Sequence, residues 1–155
     1  MNRGYKKAIV KKISKIIDSG NYINAEYVNR FEKEFAGYCR GRYCVSVNSG
    51  TDALILSLKS AGVKPGDEVL VPSLSFVATA FAPLCLGAKV RFIDIDLDTY
   101  NLDYSRIAES STGKTVAIIP VHWAGRPLEQ KKLREATEKT RLITIEDAAQ
   151  AAGAF

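Results

Sequence analysis

A chain of 155 residues is about one domain long, and 46% apolar with 25% charged residues excludes a disordered polymer. One histidine (His122) and three cysteines (Cys39, Cys44, Cys85), no two of them in a CxxC spacing, exclude a His- or Cys-built metal centre and a disulfide framework. The net charge of +5 is concentrated at the front, where residues 1–42 carry ten Lys/Arg against four Asp/Glu.

The first twenty residues predict an amphipathic helix. Ile9, Ile13, Ile16 and Ile17 repeat on one helical face, and Gly20 stops it. Lys11, Lys12 and Lys15 interrupt the apolar stretch, so it does not read as a signal peptide. A basic amphipathic start could meet an acidic partner or a membrane surface, but the basic residues are not interleaved with exposed aromatics and read as a solvated helix face. Asn24 is placed to cap a second helix striped by Val28, Phe31 and Phe35. These elements make a helical segment over 1–42.

From residue 43 onward the pattern alternates between strand and helix. Short, mostly β-branched runs at Tyr43–Val47, Glu68–Val71, Val90–Ile95, Val116–Val121 and Leu142–Ile145 predict five strands covered on both faces. Helical patterns occupy Asp52–Ala61, Ser75–Leu86, Asp103–Ser110 and Pro127–Lys139. Pro127 suits a first-turn position, and Asp103 or Ser105 can cap the third of these helices. The alternation predicts a mostly parallel α/β sheet with helices on both faces. Val69–Ala88 holds twenty residues without a charge, but Pro72, Ser73, Ser75, Thr79, Pro83 and Gly87 interrupt it. It reads as a buried strand followed by a buried helix, not a membrane span. Unpaired thiols without a leader point to the cytoplasm.

Open α/β sheets collect ligands at the carboxyl ends of their strands. Four of the predicted strand ends meet polar or turn-forming clusters: Asn48–Asp52, Pro72–Phe76, His122–Gly125 and Glu146–Gln150. In the first cluster a helix opens directly after a strand, offering free N–H groups to an anion beside Gly50, though Ser-Gly-Thr-Asp is equally an ordinary helix cap. It is neither GxGxxG nor GxxxxGK[ST]. Asp147, followed by two alanines, is placed to hold a proton on a pyridine nitrogen or simply to cap its strand. Phe76 suits either ring stacking or the core, and His122 either proton transfer or a structural bond. The Asp94/Asp96/Asp98 run could suggest a metal, but its alternation reads more plainly as a strand end running into a turn.

Taken in order, Asn48-Ser49-Gly50-Thr51-Asp52-Ala53-Leu54, Pro65-Gly66-Asp67-Glu68-Val69, Val71-Pro72-Ser73 with Phe76-Val77-Ala78-Thr79, Leu86-Gly87-Ala88, Asp94-Ile95-Asp96 with Thr99, Ile118-Ile119-Pro120-Val121-His122 and Glu146-Asp147-Ala148-Ala149-Gln150-Ala151 resemble the DegT/DnrJ/StrS family of pyridoxal-phosphate-dependent sugar aminotransferases. The resemblance runs from about Gly20 to Phe155; Asn24 stands where the family tends to carry glycine. It implies the N-terminal part of the large domain of a type I aminotransferase, residues 43–155 being an incomplete pyridoxal 5′-phosphate-binding large domain. It also implies a homodimer, and transfer of an amino group from an amino acid, commonly glutamate, to a keto sugar nucleotide, as in polysaccharide biosynthesis. By position, the backbone at Thr51 and Asp52 beside Gly50 would hold the cofactor phosphate and Phe76 would stack on the ring. Asp147 would pair with the ring nitrogen and Gln150 would lie beside the ring hydroxyl.

Family members continue to a lysine that forms a Schiff base with the cofactor. Here Lys114, Lys131, Lys132 and Lys139 all precede Asp147, and no catalytic residue is assigned within 1–155. The expectation is therefore a truncated aminotransferase, inactive alone. The alternatives are a relative that replaces the lysine and dehydrates sugars, and a non-catalytic module that senses the cofactor or binds a partner through the retained half-site.

Overall fold

The computed structural model describes residues 3–23 and 26–154, so Asn24 and its expected cap lie outside the described residues. The chain divides into two compact units, Met1–Ser46 and Val47–Phe155.

The first unit is helical. Helix α1, Lys6–Ser19, ends where Gly20 turns left-handed (φ 67°) and returns its N–H to the Ile17 carbonyl, the stop expected from a residue without a Cβ. Ile9, Ile13 and Ile17 form the expected stripe and stand exposed. Helix α2, Glu26–Tyr38, stacks Phe31 on Phe35 at 5.4 Å between ring centroids and pairs Arg30 with Glu34 at 2.7 Å. The Ser46 N–H donates to the Glu32 carboxylate.

The expected strand at Tyr43–Val47 does not form. These residues take no ladder partner among the described residues, and Tyr43 and Val45 are 79% and 77% exposed. An apolar, β-branched run marks a segment able to be a strand, but a strand exists only where a neighbour accepts its backbone bonds.

Among the described residues the second unit holds a four-stranded parallel sheet in the spatial order Lys89–Ile93, Glu68–Pro72, Thr115–Ile118, Ile143–Thr144, not five-stranded. Helix α3 (Gly50–Ser60) leads into β1 (Glu68–Pro72), α4 (Val77–Cys85), β2 (Lys89–Ile93), α5 (Arg106–Ser110), β3 (Thr115–Ile118), α6 (Gln130–Thr140) and β4 (Ile143–Thr144). Successive side chains of a strand point to opposite faces, and here both faces are covered. Val69 and Val71 of β1, with Ala117, pack into one core with Leu54 and Leu58 of α3 and Ala82 of α4. Leu70 and Ile118 face the other way, against Ile107 of α5 and Leu133 of α6. The fold is therefore α/β with helices on both faces. Ile118 is fully buried in a central strand, so Ile118→Ala should cost about 2–5 kcal/mol in urea unfolding. A loss below about 1 kcal/mol would mean that the helices do not cover that face.

Two capping expectations shift. Pro127 lies ahead of α6, which starts at Gln130 after Glu129, because Leu128 is buried and its N–H is spent on His122. At α5, Ser105 occupies the cap position without a side-chain cap bond. Asp103 makes the turn instead, its carboxylate accepting from the Ser105 N–H and hydroxyl. Asp96 accepts from the N–H groups of Asp98 and Thr99, so the acidic alternation is the turn expected of it. Among the described residues no helix is long and apolar enough to cross a membrane.

Candidate functional site

The loops after β1, β3 and β4, with the start of α3, surround one cavity of about 290 Å³, close to the lower limit for small-molecule sites. Gly50, Thr51, Ser75, Phe76, His122, Trp123, Asp147 and Gln150 are among its lining residues. All sit at the carboxyl-end rim of the parallel sheet, where open α/β folds place ligands.

The anion-binding corner is built by the start of α3. Ser49 is extended (φ −155°, ψ 165°), and its hydroxyl accepts the Asp52 N–H at 3.1 Å. The Asp52 carboxylate accepts in turn from the Ser49 hydroxyl and the Asn48 amide. Asp52 thus closes the cap and is absent from the cavity wall. Gly50 and Thr51, the first two helical positions, are the pair whose N–H groups the helix leaves without an internal partner.

Asp147 is fixed from both sides. Its backbone N–H donates to the Pro120 carbonyl and its carbonyl accepts from the His122 N–H, which locks the end of β4 to the end of β3. Its Oδ1 accepts the Ala149 N–H at 3.2 Å and its Oδ2 the Thr79 hydroxyl at 3.4 Å. Phe76 lines the cavity and is 73% exposed.

Trp123, a lining residue, leads into a left-handed turn. Ala124 (φ 52°) and Gly125 (φ 83°) are both left-handed, and a Cβ on Gly125 would meet the Gln150 carbonyl at 3.0 Å. Two side chains hold the turn. The buried Asn101 accepts the Trp123 N–H at 3.1 Å, and Gln150 Oε1 accepts the Ala124 N–H at 2.9 Å. A backbone N–H only donates, so Gln150 must turn its oxygen to Ala124, which directs its NH₂ away from that bond.

His122 is buried, and both ring nitrogens are engaged. Nδ1 accepts the Leu128 N–H at 3.1 Å, which puts the proton on Nε2, and Nε2 donates to Glu146 at 2.9 Å. Gln130 donates to the same Glu146 oxygen at 2.6 Å. These two donors, His122 foremost, hold the Glu146 carboxyl below the usual carboxylate range. Of the two roles open to His122, the geometry realises the structural one.

Ser75, Thr79, Trp123 and Asn101 have parts here that the sequence reading does not assign to them. The Ser75/Thr79 spacing of four residues was the available signal. No lysine is among the cavity's lining residues, and the described residues contain no cluster able to hold a metal ion.

An α/β rim that joins a helix-start anion site, an aromatic face and a fixed carboxylate defines a cofactor-binding class of α/β protein. The model of the DegT/DnrJ/EryC1/StrS aminotransferase family matches residues 4–155, and the chain belongs to that family. A dTDP-3-amino-3,6-dideoxy-alpha-D-galactopyranose transaminase from Aneurinibacillus thermoaerophilus is 38% identical over the whole chain, which covers 43% of that relative. The crystal structure of S. venezuelae DesV in complex with a ketimine intermediate superposes with a TM-score of 0.91 at 38% identity, covering 97% of this chain and 41% of that one. NtdA from Bacillus subtilis with bound cofactor PMP gives a TM-score of 0.95 at 33% identity, covering 99% and 35%. The chain thus spans less than half the length of these relatives.

Proposed function

We propose that this chain is the pyridoxal 5′-phosphate cradle of an aminotransferase that moves an amino group from an amino acid, such as glutamate, onto a keto sugar nucleotide. The observation that carries the reading is the convergence of the Gly50/Thr51 helix start, Phe76 and Asp147 on one cavity. The donor set fits the cofactor group by group. Gly50 and Thr51 would hold the phosphate, Phe76 a ring face, Asp147 the ring nitrogen and the Gln150 NH₂ the ring oxygen. When bound, a pyridinium ring supplies an electron sink for bonds broken next to nitrogen. The chain's own part is to bind and orient the ring and to keep a proton on its nitrogen through Asp147.

The reading makes residues 43–155 part of the large domain, with a homodimer and a cytoplasmic location. Val77, Phe81 and Leu84, an exposed apolar row on α4, support the dimer, and three unpaired thiols support the location. None of the cavity's lining residues is a lysine, so turnover needs an amine from outside that set.

Trp123 is the only tryptophan and lines the cavity, so its fluorescence reports occupancy. Titration of the chain with pyridoxal phosphate and with pyridoxamine phosphate, which has no aldehyde to react with surface lysines, should quench Trp123 saturably in both cases. Absence of saturable quenching with either compound would overturn the reading.

A further inference from the structure

We propose that Thr79 is a positioning residue for Asp147: its hydroxyl, itself supplied with a hydrogen bond by Ser75, aims the Asp147 carboxylate into the cavity. The inference rests on the cradle reading above and names a residue on which that reading depends.

Thr79 is 1% exposed on α4, where its buried neighbours Ala78, Ala82 and Pro83 are all apolar. A hydroxyl costs free energy in such surroundings unless it is hydrogen-bonded, and valine would fill the same volume at no such cost. Thr79 Oγ1 lies 2.7 Å from Ser75 Oγ and 3.4 Å from Asp147 Oδ2. An ionised carboxylate only accepts, so the single Thr79 proton goes to Asp147. The short contact with Ser75 must then be made by the Ser75 proton. The chain of donors therefore runs one way, from Ser75 at the cavity wall through Thr79 to Asp147. With Oδ1 held by the Ala149 N–H, the two contacts fix the plane of the carboxylate. The Thr79 contact with Asp147, at 3.4 Å, is the long link of the chain.

Two substitutions separate this role from simple core packing. Thr79→Val keeps the shape and removes the bond, whereas Thr79→Ser keeps the bond and removes a methyl group. The test uses the full chain, pyridoxamine phosphate labelled with ¹⁵N in the ring, Trp123 quenching for affinity and the ¹⁵N resonance for the protonation state of the bound ring. The expected result for Thr79→Val is about tenfold weaker binding and a ¹⁵N resonance moved toward neutral pyridine. Thr79→Ser should match the wild type in both. Equal affinity and an unmoved resonance in Thr79→Val would overturn the proposal. So would the reverse ranking, with Ser impaired and Val intact, because that is the signature of packing. If Thr79→Val does not fold, Ser75→Ala decides: a resonance shifted in the same direction supports the chain of donors, and an unmoved one overturns it. No binding by the wild type would sink the cradle reading and this proposal together. Binding that Asp147→Asn weakens and Thr79→Val leaves unchanged would sink the role of Thr79 alone.

Discussion

Asp147→Asn should weaken binding of pyridoxamine phosphate by roughly 10- to 100-fold, the range expected for loss of a hydrogen bond to a charged group. The substitution isolates the charge because the surroundings can accommodate an amide. The Asn oxygen can take over the Ala149 N–H, and its NH₂ can donate to Thr79, whose proton then turns to Ser75. The backbone bonds to Pro120 and His122 are untouched, so the rim should keep its shape. Gly50 and Thr51 still hold the phosphate, so some affinity remains. Lost with the charge is the preference for a protonated ring nitrogen, visible both in Trp123 quenching and in the absorption spectrum of the bound ring. Equal affinity of Asn and Asp chains would mean that Asp147 is only the end of a strand, the other role its position allows.

Much of the scaffold is legible from composition along the chain, because burial on both faces of a parallel strand demands apolar residues without alternation. Glu68–Val71 shows this clearly, since Val69 and Val71 serve one core and Leu70 the other. Tyr43–Val47 carries the same signature without the outcome, because hydrophobicity records what a segment can bury and not which backbone will pair with it. The rim was legible for a related reason. Strand ends in this fold need turn formers, and Pro72, Gly125 and Asp147 mark them. The links across the rim were not legible. Thr79 and Asp147 are 68 residues apart, and Gln150 meets Ala124 across 26. Only the parallel crossovers bring those side chains together. Asp52 shows the limit at short range too. The backbone of the first helical turn at Thr51 and Asp52 attracts an anion-site reading, yet the serine ahead of it claims the Asp52 N–H for the cap.

His122→Ala should cost about 3 kcal/mol of folding stability, placing it among the larger single-residue effects. The loss has two sources. The buried Leu128 N–H is left without an acceptor, which alone costs about 1–3 kcal/mol. The imidazole also leaves a void between the ends of β3 and β4. Glu146→Gln offers the contrast, because a Gln oxygen still accepts from His122 and Gln130. Both variants should differ from wild type in their acid dependence. The Glu146 carboxyl is held below its ordinary value in the folded chain, chiefly by the His122 bond. It therefore contributes stability above the unfolded carboxylate range and loses it as pH falls through the folded value. The stability difference between wild type and Glu146→Gln should shrink in that acid window. His122→Ala, with the main cause of the shift removed, should show a shallower acid dependence than wild type. Urea unfolding at near-neutral pH and at several points below pH ~4.5, the ordinary carboxyl value, reads both. Parallel acid profiles for wild type and His122→Ala would show that the pair does not couple. The pairing of Glu146 with His122 would then be no part of what keeps the adjacent Asp147 in place.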